Sequence, residues 1–125
     1  MMDETRYQQL ADVALLAIET MLEDVNAEAV DLARSGDVLT LSFANHTKAV
    51  INTQRPTRQI WVAANARAWH FDFEEPTSAG ASGRWIDDKG QGIELLGQIA
   101  AIVKDSAGIV LEPVTTSGPT ISSRP

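Results

Sequence analysis

The sequence predicts an α+β fold, a two-layer sandwich in which two helices pack on one face of a five- to six-stranded antiparallel sheet. Three observations lead to this prediction. Apolar residues recur with helical spacing over residues 4–25 and 91–105. Between these segments the apolar period changes to two, which is typical of strands. The connections between the predicted strands are short, and short connections join antiparallel neighbours.

The first predicted element is a helix over residues 4–25, in which no Gly or Pro occurs. Its apolar stripe follows the i, i+3, i+4, i+7 pattern and comprises Tyr7, Leu10, Ala11, Ala14, Ile18, Met21, Leu22 and Val25. The opposite stripe contains Asp12, Glu19 and Glu23. Leu16 falls among these acidic residues, where an apolar side chain has no core to reach, and the simplest interpretation is an exposed leucine.

The central part of the chain is predicted to form short strands joined by turns. The first strand begins at Val30, and the others cover residues 38–43, 48–54, 59–64, 69–73 and 84–86. Pro56 ends the third strand because it has no N–H to donate to a ladder. The segment 75–83 is rich in Pro, Gly and Ser and is predicted to be a mobile loop.

The second helix is predicted over residues 91–105. Its apolar face comprises Ile93, Leu96, Ile99, Ala100 and Val103. Residues 112–125 are rich in Pro, Ser and Thr, which predicts a flexible tail. Residues 1–111 are therefore expected to form a single domain. Because each helix has one apolar stripe, both should lie on the same face of the sheet and leave the other face open.

The open face of the sheet is predicted to be polar, with an indole among its polar side chains. Strand alternation places on this face Asn52, Gln54, Gln59, Trp61, His70 and Asp72. Trp is a preferred anchor of protein interfaces because it is rigid and amphipathic. We therefore predict that Trp61, together with Asn52, Gln54 and Gln59, contacts a partner. The alternative is that Trp61 packs on its strand neighbours or under a loop.

The net charge of −7 lies entirely in the first 37 residues, which carry nine acidic and two basic side chains. The acidic and basic residues of the remaining chain balance. Phosphate would be repelled by such a segment, so nucleic acid is not expected as a partner. The charge instead favours a basic protein surface or cations.

Six acidic residues of this segment are candidate metal ligands, and we call them the acidic ridge: Asp12, Glu19, Glu23, Asp24, Glu28 and Asp31. Glu19 and Glu23 are i, i+4 on the predicted helix and repel each other, which a bound cation or a basic partner would relieve. Carboxylate oxygens suit hard cations: Mg²⁺, Ca²⁺, Mn²⁺, Fe³⁺ and, more weakly, Fe²⁺. The alternative is a solvated charged face without a specific ligand.

The sequence disfavours several classes of function. Because Cys is absent, disulfides, thiolate metal sites and a Cys nucleophile are excluded. The segment Gly90-Gln91-Gly92 lacks the third Gly of a phosphate-binding loop, and no Ser lies in a nucleophile elbow, so we do not expect an enzyme. The longest apolar run, Val13–Ile18, is too short to span a membrane. The acidic N-terminus lacks the features of a targeting signal, which predicts a cytoplasmic protein.

The segment Asn52-Thr53-Gln54-Arg55-Pro56-Thr57-Arg58-Gln59-Ile60-Trp61-Val62 resembles the strand signature of the frataxin family. Further segments are similar to its bacterial, CyaY-type members: Leu10–Asp12, Ile18–Glu19, Val38–Thr40, His70–Asp72 and Trp85. The resemblance covers roughly residues 4–110. The chain departs from the family at Thr53, where relatives carry a basic residue, and at Thr20 and Asn26, where bacterial relatives often carry acids. Because of Thr20 and Asn26, its acidic ridge contains fewer acidic residues than that of bacterial relatives.

This resemblance implies the frataxin-like fold and a role in iron–sulfur cluster assembly. In that family the acidic ridge binds iron and docks on the cysteine desulfurase, here through Glu19 and Glu23, while the open sheet face and its Trp contact the scaffold complex. The expected protein is an iron-binding regulator that holds iron weakly at its surface. The alternative is an iron chaperone or storage protein that donates Fe²⁺. A monomer is expected, with metal-induced oligomers as the alternative.

Overall fold

The computed structural model of the chain describes residues 2–78 and 83–111. In chain order the elements are helix α1 (Glu4–Leu22), strands β1 (Val30–Ser35), β2 (Val38–Phe43), β3 (Lys48–Gln54), β4 (Gln59–Ala64), β5 (Arg67–Glu74) and β6 (Arg84–Asp87), and helix α2 (Leu95–Ala107). The six strands form one sheet in sequential order, and every neighbouring pair is antiparallel. The predicted α+β architecture is confirmed. The predicted tail 112–125 and the centre of the predicted loop 75–83 lie outside the described residues.

Helix α1 is capped at its start and ends earlier than predicted. The carboxylate of Asp3 accepts a hydrogen bond from the Arg6 backbone N–H at 2.8 Å, which satisfies one of the free donors of the first turn. The helix ends at Leu22 rather than at residue 25. The backbone N–H of Glu23 donates to the carbonyl of Thr20, and the chain then turns away from the helix axis.

The start of α2 also differs from the prediction, which placed it at residue 91. The Asp87 carboxylate accepts backbone hydrogen bonds from Lys89, Gln91 and Ile93 at 3.1, 3.2 and 2.8 Å and so holds residues 88–93 in a loop. Glu94 then caps the helix by accepting from the N–H groups of the next turn, and the helix begins at Leu95.

The core lies between the two helices and one face of the sheet. Its largest fully buried side chains are Tyr7, Phe71, Leu15, Ile18, Leu39, Leu41, Ile51, Ile60, Leu95, Ile99, Val62 and Val103. Leu15 and Ala17 are buried although the predicted stripe omitted them, because α1 packs over a wider arc than that stripe. The Tyr7 hydroxyl donates to the carbonyl of Gln59 at 2.7 Å and ties α1 to the start of β4. Burial raises the pKa of this hydroxyl.

Among the described residues, no helix is both long and apolar enough to cross a membrane.

Candidate functional site

Five of the six residues of the acidic ridge follow the outer side of α1 and the turn after it. Asp12 is exposed on the helix, and Glu23 is exposed at its end. Asp24 and Glu28 are exposed in the following turn. Glu19 is more enclosed, with 24% of its side chain accessible. These side chains therefore form an extended acidic surface that a partner or cations can reach from solvent.

A basic residue that the prediction did not include, Arg34, lies beside this surface. Its guanidinium nitrogens are 3.7 Å from Asp12 Oδ1 and 3.6 Å from Glu19 Oε2. Val30 and Leu32 of the same strand face the core, so alternation brings Arg34 to the helix side of the sheet edge. Arg34 is one of two basic residues in the first 37, which is the signal that could have found it.

Asp31 is separated from the rest of the acidic ridge. It alternates with the core-facing residues Val30 and Leu32 and therefore lies on the open side of the sheet. There it is opposite Ser42, which in turn is opposite Lys48. Asp31 was predicted as a member of the acidic ridge, but it lies apart from the other five members because consecutive strand residues point to opposite faces, and its role as a metal ligand stays a prediction.

The described residues contain no group of three or more His, Cys, Asp or Glu side chains arranged to hold a metal ion. The carboxylates of the acidic ridge are distributed along a surface, and their role as metal ligands stays a prediction.

The open face of the sheet presents two rows of side chains that cross strands β3, β4 and β5. The first row is formed by Asn52, Trp61 and His70, and the second by Gln54, Gln59 and Asp72. Residues alternating with them, among them Ile51, Ile60 and Phe71, are fully buried. The predicted assignment of the two sheet faces is therefore confirmed.

Trp61 packs on its neighbours and still belongs to the open face. Its indole ring stacks on the imidazole of His70, with ring centroids 4.3 Å apart and an interplanar angle of 18°. Its Nε1–H donates to Oε1 of Gln59 at 2.8 Å. The indole is half-buried. Its orientation is set by these two contacts, while part of its surface stays accessible.

Gln59 is the centre of a polar network on this face. Its Nε2 donates to Oδ1 of Asp72 at 3.0 Å and to Oδ2 of Asp88 at 3.1 Å. The same Asp88 oxygen lies 3.7 Å from Nδ1 of His70. The prediction did not include Asp88, which lies in the turn after β6 and approaches Gln59 only because β4, β5 and β6 are adjacent.

Comparison with known proteins gives consistent matches over almost the whole chain. Residues 1–108 match the family model of the frataxin-like domain. A relative from Paraburkholderia phytofirmans is 39% identical over 113 residues, 90% of this chain and 96% of its own. One from Psychromonas ingrahamii is 38% identical over 105 residues, 84% of this chain and 92% of its own. Both bear the name iron-sulfur cluster assembly protein CyaY.

Two solved structures have the same fold. The frataxin from Psychromonas ingrahamii superposes with a TM-score of 0.75 at 34% identity, covering 90% of this chain and 99% of its own. A trimeric frataxin from Saccharomyces cerevisiae, complexed with ferrous, superposes with a TM-score of 0.58 at 23% identity, covering 87% of this chain and 89% of its own. At that identity the yeast structure supports the fold alone.

Proposed function

The chain belongs to the frataxin-like family, and from this membership we propose that it is an iron-binding regulator of iron–sulfur cluster assembly. The observation that carries the proposal is the match over most of the chain to bacterial relatives named as iron–sulfur cluster assembly proteins. In this proposal the protein is a cytoplasmic monomer that acts by binding. The desulfurase and the scaffold carry out the chemistry.

The acidic ridge supports docking on a basic surface of the cysteine desulfurase. Glu23, Asp24 and Glu28 are exposed together at the end of α1. Arg34 pairs with Asp12 and Glu19 and leaves these three carboxylates available to a partner's cations. Complementary charge accelerates encounter and sets the orientation of docking. Iron is the proposed cargo of the same surface, since carboxylate oxygens bind hard cations and an open arrangement binds them weakly.

The open sheet face supports contact with the scaffold protein. Trp61 presents a flat, partly accessible apolar surface, and its row neighbour Asn52 offers amide donors and acceptors beside it. Interfaces concentrate their binding energy in such aromatic anchors surrounded by polar side chains. Gln59 holds the indole in place, so little side-chain entropy is lost on binding.

The experiment that tests this proposal is a binding titration with purified cysteine desulfurase, with and without Fe²⁺, at low and at physiological salt. Glu23→Lys should weaken binding about tenfold at low salt through a slower association rate. The matched control is Asp105→Lys, which reverses the same charge. Like Glu23, Asp105 is exposed near the end of a helix, in its case α2. Equal effects of the two variants, or no binding by the wild-type protein, would contradict the proposal.

The alternative, an iron chaperone or store, predicts a different result in a cluster-assembly assay. If the protein donates Fe²⁺, its effect should require iron loading and should disappear when free Fe²⁺ saturates the scaffold. A regulator should change the rate of sulfur release by the desulfurase even when free iron is in excess.

A further inference from the structure

We infer that Leu16 and Val13 form an apolar anchor within the acidic ridge and fit a partner protein whose basic side chains surround an apolar recess. This inference rests on the proposed docking of the acidic ridge. It goes beyond charge and names the shape and chemistry of the partner surface.

The first observation is the exposure of two adjacent apolar side chains on α1. Leu16 is 58% exposed and Val13 is 53% exposed. They are separated by three positions, so they are neighbours on the helix surface. Among the described residues the other large exposed hydrophobic side chains, Val50 and Val110, lie on β3 and after α2. The apolar pair on α1 is therefore a local cluster.

The second observation is the charge around this pair. Asp12 lies one turn before Leu16, Glu19 lies one turn after it, and Glu23 lies two turns after it, all on the outer side of the helix. Arg34 approaches Asp12 and Glu19 from the β1 side. Leu16 thus has carboxylates on both sides along the helix axis.

The fold itself gives no reason for an apolar side chain at position 16. Leu16 belongs neither to the buried core nor to the partly buried residues packed against it. The neighbouring Leu15 is fully buried and fills the adjacent part of the core. Lys, Glu or Gln would have similar helix propensity at this position. The exposed leucine therefore contributes a surface property.

The surrounding charge determines which partner fits. A second copy of the chain would bring the same acidic surface against this one, and the net charge of −7 opposes such a contact. Nucleic acid and anionic lipid are repelled for the same reason. A basic protein surface with an apolar recess buries Leu16 and places cations beside Asp12, Glu19 and Glu23. Charge then accelerates association, and the apolar contact slows dissociation.

The test is Leu16→Ala in the desulfurase titration. Because Ala is the best helix former and the site is exposed, the thermal melt should stay unchanged. The Kd should rise about tenfold, about 1.4 kcal/mol, through faster dissociation. The dependence of Kd on salt should be that of the wild type, since no charge is altered. Val50→Ala is the matched control on the opposite side of the molecule and should change Kd less than about twofold.

The outcomes separate this inference from the proposed function. If Glu23→Lys weakens binding and Leu16→Ala does not, the apolar anchor is wrong while docking of the acidic ridge stands. If the wild-type protein does not bind the desulfurase, the proposed function fails, and a titration with short helical peptides decides the inference. A helical peptide composed of Leu and Lys should then bind the protein more tightly than a peptide of equal charge composed of Ser and Lys. Its binding should also shift the Leu16 methyl resonances. Equal affinity of the two peptides would overturn it.

Discussion

At the residue scale, Asp87 shows how one carboxylate can shape a whole loop. Burial of the carboxyl raises its pKa, but the backbone N–H donors of Ile93, Gln91 and Lys89 lower it more, so the pKa lies below its ordinary value. A folded pKa below the unfolded one stabilises the fold at pH values above the unfolded pKa. That stabilisation is lost as the pH falls through the folded pKa.

Asp87→Asn should therefore lower the Tm at pH 7 by about 5 °C or more, because one amide oxygen cannot replace two carboxylate oxygens as acceptors for three donors. The difference from the wild type should begin to shrink below the ordinary carboxyl pKa of about 4, where the unfolded chain takes up a proton, and should be lost as the pH falls through the lower folded pKa. Thermal melts between pH 7 and pH 3 measure both effects. The exposed change Asp105→Asn is the control, and a difference that does not vary with pH would contradict the prediction.

Gln59 is the second residue whose side chain sets local structure. Gln59→Ala should release the Trp61 indole N–H to water and move its ¹H–¹⁵N resonance, because the bond to Gln59 Oε1 is lost. The fold should persist, since the Gln59 carbonyl that accepts from Tyr7 belongs to the backbone. NMR of the three indole groups measures the change, with Gln54→Ala, in the same row as Gln59, as the control. An unchanged Trp61 resonance would show that stacking on His70 alone holds the ring.

At the element scale, the two sides of α1 have different surroundings. One side contributes Tyr7, Leu15 and Ile18 to the core. The other side carries Asp12 and Glu19 of the acidic ridge and the Leu16–Val13 pair. Substitutions on the outer side should therefore alter binding with little effect on stability.

A metal titration monitored by NMR should broaden amide resonances between Glu19 and Glu28 first. These residues include four carboxylates of the acidic ridge, whereas Asp31 lies on the other side of the sheet edge. Mn²⁺ is a suitable probe because it prefers oxygen ligands and broadens nearby resonances, and an open site should bind it with a Kd of about 10⁻⁶ M or weaker. Changes centred on His70 or on Glu74 and Glu75 would contradict the prediction.

At the scale of the whole molecule, the sheet separates the two proposed binding surfaces. Apart from Asp31, the acidic ridge lies along the outer side of α1 and the turn after it, and Trp61 lies on the sheet face opposite the helices. The core lies between them, so a residue of one surface has no direct contact with the other. Substitutions on one surface should then leave the binding free energy at the other surface unchanged.

Trp61→Ala should weaken binding to the scaffold by about 2 kcal/mol, as the loss of an aromatic anchor does. Glu23→Lys should leave scaffold binding unchanged and reduce the salt dependence of desulfurase binding. In the double variant the two effects should add within about 0.5 kcal/mol in the complex of both partners. Calorimetric titrations and melts of all three variants test this. If Trp61→Ala melts several degrees lower and binds normally, Trp61 is a core residue and the surface assignment is wrong.

The sequence alone determined the architecture and the sheet faces. The bounds of β2, β3 and β4 agree with the predicted ranges, and Trp61 lies on the predicted face. Strand alternation and helical spacing are local properties, because they follow from the geometry of consecutive residues. A segment of a few consecutive residues is therefore enough to recognise either pattern.

The surroundings of the candidate surfaces depend on tertiary packing. The Gln59–Asp88 bond joins residues 29 positions apart, and the Arg34 contacts join β1 to α1. The start of α2 depends on Asp87 accepting from a loop up to six positions away. Each of these contacts depends on how the strands and helices pack. The local sequence pattern around one residue does not specify which distant side chain will contact it. Packing therefore determined the orientation of Trp61 and the partial neutralisation of the acidic ridge.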